Sequence, residues 1–340
     1  MIKRNLLILA FVIFMPLLLW GGYQIRLEHY PVNIQPSERW EPFISSLNAD
    51  REPYFVESDG VLLEAELFVP RNGRSAKPAI VFSPGSGDSL YQNYSPDMIE
   101  TAVLDLFLQR DIAVLLVNKR GMGASEGNWT KIDFQGRADD LYTAVATLHN
   151  HPAIDSAQIG LVGHSQGGWI VSLTAAQHPD IAFFISLAGP TTTVATNMLD
   201  NYTNGYYCDG YRGAELEAKV ARNMRLSRQA AKIGETIPFG MFGFDAGVID
   251  YDPGEALQQV QSPALFVYAE RDWMVTPSWS LDRLDEIFAG NVPEHFTAVT
   301  IPGVSHSFQH VETTCTPPAE STISPELIAQ LNNWLVMQGY

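Results

Sequence analysis

The stretch "IGLVGHSQGG", residues 159–168, begins as an apolar run and breaks abruptly into Gly163-His164-Ser165-Gln166-Gly167-Gly168. A plain strand-to-helix turn asks for glycine, because the tight backbone leaves no room for a Cβ. The G-x-S-x-G spacing asks for more. It is the pattern of a nucleophile elbow, in which a strained turn lifts a serine hydroxyl above a sheet and flanking glycines keep side chains clear. Ser165 is therefore the candidate nucleophile, and its neighbourhood must supply a strand before it and a helix after it.

The surrounding chain has that rhythm. Short apolar runs at Ala79–Phe82, Ile112–Val117, Ile159–Val162, Ile181–Leu187, Ala264–Tyr268 and Thr297–Ile301 read as buried strands. Helix-length segments at Asp97–Gln109, Gly136–His149 and Trp169–Gln177 lie between several of them, and Glu326–Met337 closes the chain as an amphipathic helix. Such alternation predicts an α/β fold with a mostly parallel central sheet flanked by helices on both faces. Ahead of it, Tyr54–Glu57 and Val61–Val69, split by Asp59-Gly60, read as a hairpin. One interval interrupts the alternation. Between Leu187 and Ala264 lie a Tyr/Asn/Gly-rich piece (Asn201–Tyr211), a helical piece (Ala214–Lys232) and the cluster Phe239-Gly240-Met241-Phe242-Gly243-Phe244. A structureless loop of that length is improbable, so residues of about 190–260 read as an inserted cap.

A serine nucleophile needs a base, and the base needs an acid to fix its tautomer. On an elbow the chain order is Ser, then Asp or Glu, then His. Asp272 in "ERDWMVTP" follows the strand Ala264–Tyr268, and His306 in "GVSHSF" follows Thr297–Ile301. Both sit beyond carboxyl ends of strands, the edge where open parallel sheets bind ligands. Glu270 competes with Asp272 for the acid and His310 with His306 for the base. His164, beside the nucleophile, reads as a packing or hydrogen-bonding group, since adjacent residues of an elbow point apart.

These motifs together resemble the α/β-hydrolase superfamily, in particular its serine esterase and serine aminopeptidase-like branch, over residues of about 53–340. Gly163-His164-Ser165-Gln166-Gly167 is similar to that family's elbow, "ERDWMVTP" to its acid loop and "GVSHSF" to its histidine loop. "NKRGMGASEG" (118–127) resembles its D-x-R-G-x-G-x-S turn, with Asn118 where Asp is usual. "SPGSG" (83–87) resembles its oxyanion loop, with Pro84 in place of the usual histidine. The resemblance implies a Ser165–His306–Asp272 triad and an oxyanion hole made by the backbone N–H groups of Ser86 and Gln166. It implies no metal and no organic cofactor. The substrate is then a small-molecule ester or acyl compound. An aminopeptidase-like peptidase is the alternative, with Glu215, Glu217 and Glu235 of the cap available to hold a free amine. A thioesterase or acyltransferase comes after it, and a non-catalytic membrane-tethered binding protein last. Tyr206 and Phe242 are the cap aromatics expected to line an apolar acyl pocket, or else to form the cap's own core.

Composition removes other classes. The 340-residue chain carries a formal net charge of −17 and no basic cluster, so its surface repels phosphate backbones and nucleic acid is excluded as a partner. Gly85-Gly87 and Gly121-Gly123 lack the third glycine of a dinucleotide loop. At the N-terminus, Lys3 and Arg4 precede an apolar stretch from Leu6 to Trp20, and no A-x-A-like cleavage site follows. Residues 1–23 are therefore expected to be an uncleaved signal-anchor in the membrane, with the catalytic domain on the extracytoplasmic side, the alternative being a cleaved segment and a secreted domain. Residues 24–52 are expected to be an irregular linker. Cys208 and Cys315 are the cysteines of the chain; outside the reducing cytoplasm they are able to pair, but sequence does not set their separation.

Overall fold

The computed structural model describes residues 34–236, 246–320 and 322–340. The expected signal-anchor and Phe242 lie outside the described residues. Among those described, no helix is long and apolar enough to cross a membrane.

The strands are β1 (Ala49–Ser58), β2 (Val61–Pro70), β3 (Lys77–Ser83), β4 (Ala113–Val117), β5 (Ile154–His164), β6 (Phe184–Leu187), β7 (Ala264–Ala269) and β8 (Phe296–Ile301). They form one sheet in the order β1-β2-β4-β3-β5-β6-β7-β8. The β1–β2 and β2–β4 pairs are antiparallel, and from β4 to β8 all neighbours are parallel. The hairpin turns on Asp59 and Gly60, both at positive φ, which matches the right-handed twist of the flanking strands.

The helices are α1 (Trp40–Ser46), the continuous helical run α2 (Pro96–Met98, Ile99–Asp105 and Leu106–Gln109), α3 (Phe134–Leu148), α4 (Gln166–Gln177), α5 (Val194–Cys208), α6 (Gly213–Thr236), α7 (Ala246–Ile249), α8 (Gly254–Gln259), α9 (Pro277–Ile287) and α10 (Pro325–Met337). Period-two alternation divides the strand side chains between two cores. Phe82, Val114, Val162 and Ile185 pack with α2 and α10 on one face. Val81, Leu115, Leu161 and Phe184 pack with α3, α4 and α9 on the other. Both faces are thus covered, which is why the strands read as unbroken apolar runs.

One expectation needs revision. The linker expected over 24–52 does not continue past residue 39. Trp40 opens α1 and is 2% exposed, and its ring packs on Phe68 and Tyr91 of the first core. The Tyr/Asn/Gly-rich piece Asn201–Tyr211 is mostly helix, as the second half of α5. Thr193 caps that helix by accepting from the Thr196 N–H. Its asparagines disfavour helix intrinsically, but tertiary bonds described below compensate.

The register sets the working edge. Ser83 pairs with Gly163, His164 with Leu187, Leu187 with Val267, and Ala269 with Ile301. The loops leaving β3, β5, β7 and β8 therefore emerge side by side.

Candidate functional site

Ser165 sits at φ 55°, ψ −124°, a region that non-glycine residues occupy only under constraint. The constraint is visible. The Ser165 N–H is held by the Leu187 carbonyl at 2.9 Å, and α4 begins at the next residue. A Cβ on Gly163 would collide with the Gly167 carbonyl, and one on Gly167 with the Ser83 carbonyl. The G-x-S-x-G spacing is thus a packing requirement of strand, turn and helix. Ser165 itself is half-buried, and Gln166, as the first residue of α4, carries one of the helix's orphan N–H groups. The loop after β3 lies against the turn, so close that a Cβ on Gly85 would come within 2.9 Å of the Ser165 Cβ. Ser86, the next residue of that loop, is exposed.

His306 Nδ1 and Asp272 Oδ2 are 2.6 Å apart. The other Asp272 oxygen accepts the N–H groups of Met274 (2.7 Å) and Val275 (3.0 Å), which lock the carboxylate within its loop. The carboxylate accepts a hydrogen bond from the Nδ1–H, and in that tautomer the ring presents its lone pair at Nε2. That Nε2 is buried and has no hydrogen-bond partner, so no bond joins it to Ser165 Oγ. In unliganded enzymes the serine–histidine bond is often long and tightens with substrate.

The competitors lie elsewhere. Glu270 accepts the Gly303 N–H at 2.7 Å and serves as a brace between two loops. His310 is exposed and 3.8 Å from Glu326. His164 is buried: Nε2 is 2.9 Å from the His306 carbonyl and Nδ1 is 2.6 Å from Tyr94 Oη. A carbonyl only accepts, so Nε2 carries the proton and Nδ1 accepts from the tyrosine. Burial, and after it the neighbouring His306, lowers the His164 pKa to about 3, so the ring stays neutral and holds the His306 backbone in place.

A group not foreseen from sequence braces the acid loop. Asp200, 3% exposed, accepts the Thr276 N–H (2.8 Å) and hydroxyl (2.7 Å). Asn197 and Asn201 donate to the Met274 carbonyl at 2.9 and 2.7 Å, and Asn204 to the Trp273 carbonyl at 3.1 Å. Positions 197, 200, 201 and 204 form one stripe of α5 by helical spacing. The available signal was an Asn/Asp repeat at intervals of three and four. Of the aromatics expected to line a pocket, Tyr206 stacks with Tyr202, meets Tyr211 edge to face and accepts a hydrogen bond from Asn223 of α6. Those are contacts within the cap. Arg120 grips Asp140 of α3 at 2.7 and 2.8 Å, which anchors its own turn. Asn118 accepts the Tyr91 N–H and donates to Glu64, a neutral amide doing both jobs.

A half-buried serine at a strained elbow, beside a histidine paired to a buried carboxylate on an eight-stranded, mostly parallel sheet, defines an α/β-hydrolase. Residues 59–236, just over half of the chain, match the X-Pro dipeptidyl-peptidase (S15) family, and the chain belongs to that family. It is 33% identical over 135 residues to a "Polyketide transferase grgF" of Penicillium, a match covering 39% of this chain and 43% of that one. The matched region thus spans less than half the length of that curated relative. Two solved structures share the fold. The Pyrococcus furiosus esterase Pf2001 superposes with a TM-score of 0.60 at 15% identity, covering 91% of this chain and 98% of the other. Est1E of Butyrivibrio proteoclasticus, with ferulic acid bound, gives 0.57 at 18% identity over 84% and 98%. The fold is that of the α/β-hydrolases.

Proposed function

We propose that this protein cleaves carboxylic ester bonds by acyl transfer through Ser165, with His306 as base and Asp272 as its orienting acid. The observation that carries this reading is the 2.6 Å Asp272–His306 pair, whose Nε2 is buried and free on a ring 4.8 Å from that of His164, the residue before Ser165. Ser165 Oγ bonds to the ester carbonyl carbon as its proton passes to His306 Nε2. The negative carbonyl oxygen is received by the N–H groups of Ser86 and Gln166. Collapse breaks the carbon–oxygen bond, and the alcohol leaves with the proton from Nε2. Water then attacks the acyl-enzyme, gives its proton to Nε2, and Ser165 regains it as the acid departs.

The family match favours a second reading, release of short peptides from a substrate amine terminus. Glu215 and Glu217, the carboxylates considered for gripping that amine, are exposed on α6. The relative named as a transferase points to a third, transfer to an acceptor other than water. A panel of nitrophenyl esters against Xaa-Pro anilides separates the first two, and added alcohols or amines reveal the third. Ser165→Ala is expected to abolish labelling by a fluorophosphonate probe and to lower kcat by roughly 10⁴-fold or more in a folded protein. Full esterase activity in that variant rejects the mechanism. The paired Cys208 and Cys315 support an extracytoplasmic, oxidising setting for the domain, as the expected N-terminal anchor would provide.

A further inference from the structure

Two cations lie against one indole ring directly behind the elbow. Lys119 Nζ is 4.4 Å and the Arg137 guanidinium carbon 4.8 Å from the Trp129 ring centroid. Neither cation has a carboxylate within ion-pair distance among the described residues; Arg120, next to Lys119, does have one. Lys119 instead donates to the carbonyls of Gly85 (2.9 Å) and Gly87, on either side of Ser86. Arg137 donates to the Gln166 side-chain carbonyl, and to the Trp129 carbonyl at 3.3 Å. Trp129 completes the frame, its indole N–H donating to Asp88 at 2.7 Å. Both residues proposed to supply oxyanion donors are therefore held by cations, and the cations share a ring.

We propose that Lys119 and Arg137, seated on Trp129, are positioning residues that aim and polarise the oxyanion hole; this rests on the reading of Ser165 as nucleophile. The physical step is short. The Gly85 carbonyl and the Ser86 N–H belong to one planar trans peptide and point in opposite directions. Fixing the carbonyl on Lys119 fixes the N–H on the far side, toward the elbow. An ammonium on the carbonyl also draws electron density through the peptide and strengthens its N–H as a donor. Arg137 holds Gln166 from its side chain while that residue's N–H stays free at the head of α4. The surroundings magnify the effect, since Leu63, Phe82, Leu141 and Ile170 line the cavity behind the loop and keep the local dielectric low. A cation on a ring face is attracted by its quadrupole, which offsets the repulsion between two like charges placed side by side.

The test uses the described enzyme, an aliphatic nitrophenyl ester and an aliphatic trifluoromethyl ketone, which adds to a serine to give an oxyanion-bearing hemiketal. Lys119→Met is expected to lower kcat by roughly tenfold to a hundredfold with KM within about twofold, the signature of a contact realised in the transition state. Ketone affinity should fall by the same factor as kcat/KM, and Lys119→Arg should recover most of both. Trp129→Phe, which keeps both cations but removes the bond to Asp88, should move both quantities the same way by less. It also serves should Lys119→Met fail to fold. A loss confined to KM, or ketone affinity unchanged in both variants, overturns the proposal. Fluorophosphonate labelling keeps the failures apart. A wild type that is not labelled, or a Ser165→Ala protein labelled equally well, strikes the nucleophile itself. A Ser165-dependent label with indifferent Lys119 and Trp129 variants strikes only the positioning role.

Discussion

Cys208 and Cys315 are joined by a disulfide across 107 residues of sequence, and the bond ties the end of cap helix α5 to the loop that follows His306. Helix α5 is thereby attached to the loop after β8 by a covalent link and to the loop after β7 by its Asn197–Asn204 stripe. Arg271, on the acid side, also donates to the Val311 carbonyl on the histidine side. The two loops that carry Asp272 and His306 are cross-braced through one helix. Closing a loop of this length restricts the unfolded chain, so replacing both cysteines by serine should lower stability by about 2–5 kcal/mol. Urea unfolding of the oxidised wild type against the double variant measures this, and coincident midpoints would sink it.

Asp200 should matter to both stability and turnover. Its carboxylate receives three side-chain and backbone donors, from Thr276 and Asn204, in a site closed to water. Asp200→Ala leaves the Thr276 N–H without its acceptor, at a cost of about 1–3 kcal/mol for the orphaned group. The same change frees the segment that carries Asp272, so kcat should fall while KM for a small acetate ester changes little. Asp200→Asn keeps one oxygen acceptor and should recover part of the loss. Wild-type kcat in a destabilised Asp200→Ala protein would confine the residue to structure.

The elbow and the two loop residues were legible because their chemistry is local. Gly163 and Gly167 are demanded by backbone contacts within a few residues, and Asp272 and His306 each follow an apolar strand. Helix α5 was half-hidden for the opposite reason. Asn197, Asn201 and Asn204 disfavour helix locally, and what holds them in one, the carbonyls of Met274 and Trp273, is brought near only by the sheet. Lys119 stands at the unspecified position of the NKRGMGASEG turn and Arg137 in no motif, because what they hold is backbone carbonyls and a glutamine amide. Trp40 was read as linker because nothing in its local sequence announces that Phe68 and Tyr91 will cover it.

His164 should make the protein acid-sensitive. Its folded pKa, lowered to about 3 by burial and by His306, lies below the ordinary imidazole value of about 6.5. Between those values the unfolded chain binds a proton that the native ring refuses, so stability is complete above about pH 6.5 and falls as pH drops toward 3. One group contributes at most about 1.4 kcal/mol per pH unit in that window. Urea midpoints from pH 7 to 4 should therefore fall more steeply for the wild type than for His164→Gln, which has no imidazole to protonate. Parallel slopes would mean that the native ring accepts the proton after all.

The alkaline side of the activity profile should belong to Lys119. Burial first, and the Arg137 cation second, lower its pKa to about 7, while Asp88 opposes them. The groups facing it are Asp88 from the loop after β3, Arg137 from α3 and the neutral ring of Trp129. Below about pH 7 the ammonium is intact and both loop carbonyls are held by a full charge. As pH rises through that value the charge is lost, and the Ser86 N–H is both less fixed and less polarised. Esterase kcat should accordingly decline above neutrality in the wild type, although Ser165 chemistry needs a neutral His306 and gains from base. Arginine stays protonated throughout this range, so Lys119→Arg should remove the decline and move the optimum upward. The measurement is kcat from pH 6 to 9.5 for both proteins, with the ester's spontaneous hydrolysis subtracted. Identical alkaline limbs would show that the ammonium is either never lost or never needed.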